Sequence, residues 1–272
     1  TTVHLHGESG AGKELVARTL HTFSGRPGPL VVFDASVADP EMVRNDLFGH
    51  IKGAFTGATG TREGAFRQAH TGTLFIDEIG ELPLDLQPRL LRVLETREVL
   101  PIGSDKPTRV DVRVITATHR DLEAMVRAGA FRADLFYRLS VVPIEVPALR
   151  EIREDIPLIA RHLCERLQLN CRMSAAALEV LQNYSWPGNV RELRNVLERV
   201  MVLCGDREIR PEDLRLPKEA AVARSESAPV PATAPASTPP SVSSAEPVSE
   251  PGKPAADARA HLKDVERRMI VE

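Results

Sequence analysis

Short apolar runs alternate with stretches of helical period through the first half of the chain. Thr2-Val3-His4-Leu5-His6, Leu30-Val31-Val32-Phe33, Thr73-Leu74-Phe75-Ile76, Val112-Arg113-Val114-Ile115-Thr116 and Val141-Val142-Pro143-Ile144-Glu145-Val146 read as buried strands. Between them lie helical patterns. Leu15, Val16 and Leu20 share one side of a stretch, and Leu86, Leu90, Val93 and Leu94 recur at i, i+4, i+7, i+8 within a predicted helix from Leu84 to Arg97. Strands alternating with helices predict an α/β fold with a mainly parallel sheet covered on both faces.

After Pro147 only helical patterns remain. Helices are predicted over Asp155 to Leu167, Ser174 to Tyr184 and Asn189 to Leu203, with Ser174 and Asn189 as N-caps. The expected organisation is an α/β core over 1–147 and a small all-α lid over 148–216. From Pro217 the chain turns to Pro, Ala, Ser, Thr and Val without aromatic residues, which predicts an extended linker over 217–256. Over 257–272 helical period returns, with Leu262, Val265, Met269 and Ile270 on one side. The chain opens on Thr1 at a strand and stops within that last helix, as an excised piece of a longer protein would.

Composition narrows the classes. The 272 residues carry a net charge of −3 and only 4% aromatics, so no global basic field argues for nucleic-acid binding by the whole chain. Cys164, Cys171 and Cys204 form neither a metal-ligand spacing nor an even disulfide set, which predicts a reducing, cytoplasmic setting. There is no signal peptide and no apolar run of membrane-spanning length, so no membrane partner is expected.

The chemistry starts between the first strand and the first helix. Gly7-Glu8-Ser9-Gly10-Ala11-Gly12-Lys13-Glu14 has the spacing G-x-x-x-x-G-K, in which backbone N–H groups and a helix N-terminus cradle phosphate while Lys13 reaches the outer phosphates. Glu14 stands where the general motif has Ser or Thr. The bland alternative is a Gly-rich turn with a solvated lysine. Asp77 and Glu78 end an apolar strand, where Asp77 would help hold Mg²⁺ and Glu78 would orient or activate the attacking water. Taken alone, that pair could equally be an acidic surface turn. Between these motifs, Gly53-Ala54-Phe55-Thr56-Gly57-Ala58 sets small residues around one Phe. It reads either as a loop tip offering an aromatic anchor to a partner or as a turn with a buried Phe.

GAFTGA, together with GESGAGKE and GTLFIDEIGELP, resembles the bacterial enhancer-binding proteins, the AAA+ ATPases that activate sigma-54 RNA polymerase. The resemblance runs from Val3 to Leu216. It implies an AAA+ P-loop core, ATP with Mg²⁺, and a homo-oligomeric, hexameric ring. Gly53 to Ala58 would touch sigma-54, and Glu14 becomes a family trait, since the loop commonly ends in GKE. VRVITATHRDL resembles the first sensor, placing Thr118 and His119 near the γ-phosphate. Phe131 to Leu139 resembles the segment of trans-acting arginines, so Arg132 and Arg138 would reach a neighbouring subunit's phosphates. Read without that resemblance, both are helix-surface arginines in i,i+4 pairs. Trp186 to Leu193 resembles the second sensor, with Arg191 on the nucleotide. Asp34 aligns with a family position that often holds Asn and contacts Glu78, so the two carboxylates would share a proton or a water.

The resemblance therefore implies an ATP-hydrolysing activator that remodels the closed promoter complex of the sigma-54 holoenzyme. It also makes 257–272, with its helix from His261 to Glu272, the start of a truncated Fis-like helix-turn-helix domain that binds enhancer DNA. Two alternatives stand beside it. One is a DNA-binding regulator using the AAA+ domain only for ligand-controlled oligomerisation; the other is a protein-remodelling AAA+ chaperone.

Overall fold

A computed structural model describes residues 1–37, 39–55, 58–167, 172–204 and 207–216. Thr56, Gly57, Cys171, the 217–256 segment and the 257–272 helix lie outside the described residues.

In chain order the strands are β1 (Val3–His6), β2 (Leu30–Asp34), β3 (Gly49–His50), β4 (Arg62–Glu63), β5 (Thr73–Asp77), β6 (Glu98–Val99), β7 (Thr108–Arg109), β8 (Arg113–Thr118) and β9 (Val142–Glu145). The five long ones form one sheet in the order β2-β5-β8-β1-β9, and every neighbouring pair is parallel. β3 pairs with β4 and β6 with β7 as short antiparallel ribbons.

Alternation along the central strands explains the layers. In β5, Leu74 and Ile76 join the larger apolar cluster, with Leu47, Phe66, Leu90 and Leu135, while Phe75 joins a second cluster with Leu5 and Ala17. In β8, Val114 faces the first cluster, and Ile115 and Ala117 face the second. Successive residues of both strands are thus buried on opposite faces, as a continuous apolar run in a parallel sheet requires. Helix α1 (Lys13–Thr22) covers the smaller cluster through Ala17, Val16 and Leu20. Helices α2 (Pro40–Phe48), α3 (Ala65–Gln68), α4 (Gln87–Thr96), α5 (Leu122–Arg127) and α6 (Ala133–Leu139) supply the larger one.

The predicted helix from Leu84 to Arg97 is shorter at its start. α4 begins at Gln87 with a proline in its first turn, Leu86 N–H bonds back to Pro83 O, and Leu84 is exposed. Pro88 fits only the beginning of a helix, which fixes the boundary.

Beyond β9 a separate cluster forms around Trp186, Leu193, Leu197, Ile156 and Leu181. It is built by α7 (Ile156–Arg166), α8 (Ala175–Asn183) and α9 (Asn189–Cys204). Ser174 caps α8 as predicted, its Oγ accepting from Ala177 N–H. Asn189 does not cap α9 with its side chain. Its φ is 52°, and its amide bonds elsewhere, while Glu192 reaches back to Gly188 N–H at 2.9 Å. Cys164 is disulfide-bonded and Cys204 is a buried free thiol. An odd cysteine count excludes complete pairing, not a single bridge.

Candidate nucleotide site

The carboxyl ends of the parallel strands deliver the site. β1 runs into the Gly7–Lys13 loop, β5 ends on Asp77, and β8 ends on Thr118. That edge is where open parallel sheets collect ligands. A cleft of about 730 Å³ is lined there by Gly10, Gly12, Lys13, Asp77, Glu78 and Arg191, with Leu158 and Ile159 of α7 on its apolar side.

The loop has the shape its sequence predicts. Gly12 holds φ 99° at the start of α1, with nothing within 4 Å of where a Cβ would stand, so the cradle is open to a ligand. Lys13 is buried, and its Nζ donates to the carbonyls of Gly7 at 3.0 Å and Glu8 at 3.1 Å. The same Nζ lies 3.9 Å from Glu78 Oε1. Glu14 turns outward, accepting from Arg18 Nη2 at 2.6 Å. The chain therefore offers no side-chain hydroxyl at that position.

Glu78 adopts a left-handed backbone, φ 51°, a strained conformation for a residue with a side chain. Its Oε2 accepts from Thr118 Oγ1 at 3.3 Å and meets His119 Nδ1 at 2.8 Å. Asp77 Oδ1 accepts from Glu78 N–H at 3.0 Å. Burial is the largest influence on the Asp77 carboxyl and raises its pKa above the usual value; Glu78 and Asp34 push the same way, opposed by that N–H bond and Lys13. Asp34 sits opposite Asp77 in the β2–β5 register and accepts from Ser36 N–H. The carboxylate it touches electrostatically is Asp77, whereas Glu78 is held by Thr118 and His119.

One carboxylate at Asp77 matches how Mg²⁺ is usually held, by one or two carboxylates and the phosphates of its nucleotide. Among the described residues no group of three or more His, Cys, Asp or Glu forms a ready-made metal site. The donor set thus fits a metal that arrives with phosphate.

Arg191 enters the cleft from the first turn of α9, and its Nη1 donates to Ser9 Oγ at 2.9 Å. Arg132 and Arg138 do not reach this cleft. Arg132 pairs with Asp134 at 2.7 Å, and Arg138 donates to Leu94 O at 2.9 Å while lining a different cavity of about 350 Å³. Neither makes an i,i+4 pair. Buried Gln87 fixes the first of them, its Oε1 accepting from Arg132 N–H at 2.9 Å.

Sequence reasoning missed the neighbours of Glu8. Its carboxylate accepts from both Arg150 terminal nitrogens, at 2.6 and 2.8 Å, and from Asn189 Nδ2 at 3.0 Å. These bonds hold its pKa down at about 2, against 4.5 ordinarily. No local signal announced them, because the partners lie 142 and 181 residues away.

In sequence, Gly53 to Ala58 lies between β3 and β4. Phe55 is half-exposed and meets His50 edge-on at 5.1 Å between ring centroids. Ile51 and Ile102 bond through their backbones, as do Ile102 and Gly49, so a second loop supports its base.

A family model for the sigma-54 interaction domain matches residues 1–145, and one for an AAA+ ATPase lid domain matches residues 150–230. The chain is 50% identical over 221 residues to the transcriptional regulatory protein ZraR of Escherichia coli (strain K12), covering 79% of this chain and 50% of ZraR. It is 51% identical over 207 residues to the DNA-binding transcriptional regulator NtrC of Azospirillum brasilense, covering 74% of this chain and 43% of NtrC. The chain thus spans about half the length of the curated relatives it matches. A crystal structure of NtrX from Brucella abortus in complex with ATP superposes with a TM-score of 0.70 at 39% identity, covering 78% of this chain and 50% of NtrX. The phosphate-loop cleft, the parallel sheet behind it and the helical lid agree with these matches, and the chain belongs to the sigma-54 interaction domain family, with an AAA+ core and lid.

Proposed function

We propose that this chain is the ATP-hydrolysing motor of an activator of the sigma-54 RNA polymerase holoenzyme. The observation that carries the proposal is the convergence of the phosphate loop, Asp77, Glu78 and Arg191 on one cleft, with Thr118 and His119 bonded to Glu78. ATP is the substrate. The Gly10–Gly12 backbone and Lys13 hold its phosphates, Asp77 ligates Mg²⁺, and Glu78 orients the attacking water. Mg²⁺ held by Asp77 would supply positive charge against that developing on the phosphates.

Arg132 and Arg138 serve in trans. Each sits outside its own cleft, so stabilising transition-state charge requires a neighbouring subunit, and a six-membered ring supplies one at every site. Arg191 senses the nucleotide from the lid. Loss of the γ-phosphate then releases Glu78, Thr118 and Arg191 contacts and shifts the coupled elements, as in other nucleotide switches. The Gly53–Ala58 loop carries that motion to sigma-54 and opens the promoter complex, and a C-terminal domain of the parent protein reads enhancer DNA. Asp34 tunes hydrolysis through Asp77 and Glu78.

Turnover of Mg-ATP measured against protein concentration tests this reading. Turnover per subunit rises with concentration as sites are completed, and mixing Arg132→Ala with Glu78→Gln subunits restores part of the activity each lacks. Absence of turnover overturns the ATPase; turnover independent of concentration overturns the shared site.

A further inference from the structure

Glu8 occupies a loop built to hold phosphate, and a carboxylate facing that ligand would repel it. The structure turns it away. Both its oxygens engage Arg150, at 2.6 and 2.8 Å, with the two side chains 45% and 40% exposed. The same oxygen that takes Arg150 Nη1 also accepts from Asn189 Nδ2 at 3.0 Å.

Asn189 is fully buried and spends its whole amide on this junction. Its Oδ1 accepts from Leu149 N–H at 2.8 Å, and its Nδ2 reaches Ser9 O at 3.1 Å besides Glu8. Val190 N–H then donates to Gly10 O at 3.0 Å. A Cβ on Gly10, at φ 76°, would stand 2.6 Å from Gly188 O, so loop and lid backbones meet without room for a side chain. The lid therefore docks on the phosphate loop itself, through residues at its first turn.

We propose that Glu8 and Arg150 form a charge-neutralised clasp in which Glu8 is a positioning residue: it ties the phosphate loop to the lid and is kept from the nucleotide by Arg150. The proposal rests on reading the cleft as a nucleotide site. An exposed ion pair by itself adds little stability. Its value here is placement and sign, because an unpaired carboxylate beside bound phosphates is repulsive at short range.

That sign separates the clasp from a general structural role. Removing Arg150 leaves Glu8 unpaired beside the phosphates. Removing both charges loses the tether and spares the repulsion. Calorimetric titration of Mg-ADP into the full chain is the test, with Arg150→Gln, Glu8→Gln and the double variant. Affinity falls about tenfold in Arg150→Gln, the order of effect of one like charge at short range near the protein surface. It falls less in Glu8→Gln, and the double variant binds more tightly than Arg150→Gln alone. Equal or additive losses overturn the clasp, as does an unchanged Arg150→Gln.

A second measurement needs no nucleotide. Trp186 is the single tryptophan and lies in the lid core, so its fluorescence reports lid unfolding. Without nucleotide there are no phosphates to repel, and Asn189 still donates to Glu8, so melting followed at Trp186 differs little among wild type, Arg150→Gln and the double variant. A large drop confined to Arg150→Gln in nucleotide-free buffer contradicts the clasp, because its loss of affinity is then structural. A wild-type chain that binds no Mg-ADP refutes the nucleotide reading itself.

Discussion

The Glu78 carboxylate meets His119 Nδ1 at 2.8 Å, with Thr118 Oγ1 donating to the same oxygen at 3.3 Å. An ionised carboxylate only accepts, so Nδ1 is the donor in this contact. The end of β8 thus aims the acid that β5 presents, and the positive φ of Glu78 leaves its backbone little alternative direction.

Glu78→Gln keeps the volume and removes the carboxylate proposed to act on the attacking water. Mg-ATP hydrolysis falls roughly 10²–10⁴-fold, the usual worth of a general base, while Mg-ADP affinity is nearly unchanged. His119→Ala frees the carboxylate, and hydrolysis falls about tenfold, within the hundredfold that a 1 Å misplacement can cost. Steady-state kinetics beside equilibrium ADP binding separates the two. A Glu78→Gln chain with wild-type turnover would remove Glu78 from the chemistry.

Asp77 sets stability against function. Its carboxyl titrates above its usual 3.8, chiefly because it is buried. The folded state therefore holds the proton more tightly than the unfolded chain. Above the raised value Asp77 is a buried charge that destabilises the fold; below 3.8 it is protonated in both states and costs nothing. Asp77→Asn should melt at a higher temperature than wild type at neutral pH, with the gap closing toward pH 4. Hydrolysis should fall on the order of a hundredfold or more, as on loss of one preorganised electrostatic group. Urea titrations across pH in nucleotide-free buffer check the first half, and a pH-independent gap would contradict it.

His4 predicts the opposite slope. Burial, then the charge of His6, lowers its pKa from 6.5 to about 4, and its Nδ1 lies 2.9 Å from Thr116 Oγ1. A base with a depressed folded pKa contributes stability above 6.5 that is lost as pH falls toward 4. The lost contribution is roughly 3 kcal/mol. Wild-type urea midpoints should fall between pH 7.5 and 4.5 more steeply than those of His4→Gln. Parallel pH profiles would show that His4 does not carry this dependence.

Elements that depend on local pattern were legible in the sequence. The alternating Leu74-Phe75-Ile76 run, the Gly7–Lys13 spacing and the Ser174 cap each state their structure within a few residues. Pro88 moved the start of α4 because a proline's position in the first turn outweighs the apolar period that continues upstream of it. What could not be read was tertiary pairing. Asn189 looked like a cap, since capping is what Asn does at a helix start, yet burial against Leu149 and Ser9 claimed its amide. Glu8 looked like part of the phosphate cradle until Arg150 was brought across 142 residues of chain to meet it. Arg132 and Arg138 were expected at a neighbouring subunit's phosphates; within one chain they engage Asp134 and the Leu94 carbonyl.

Sigma-54 is the proposed target of hydrolysis at this cleft, reached through the loop that carries Phe55. Co-sedimentation of the chain with purified sigma-54, in the presence of ADP and a metal fluoride that mimics the transferring phosphoryl group, tests it most directly. A complex is expected with wild type, none with ADP alone, and none with a Phe55→Ala chain whose ATP turnover is intact. A chain that hydrolyses ATP and yet forms no complex with sigma-54 under these conditions would contradict it.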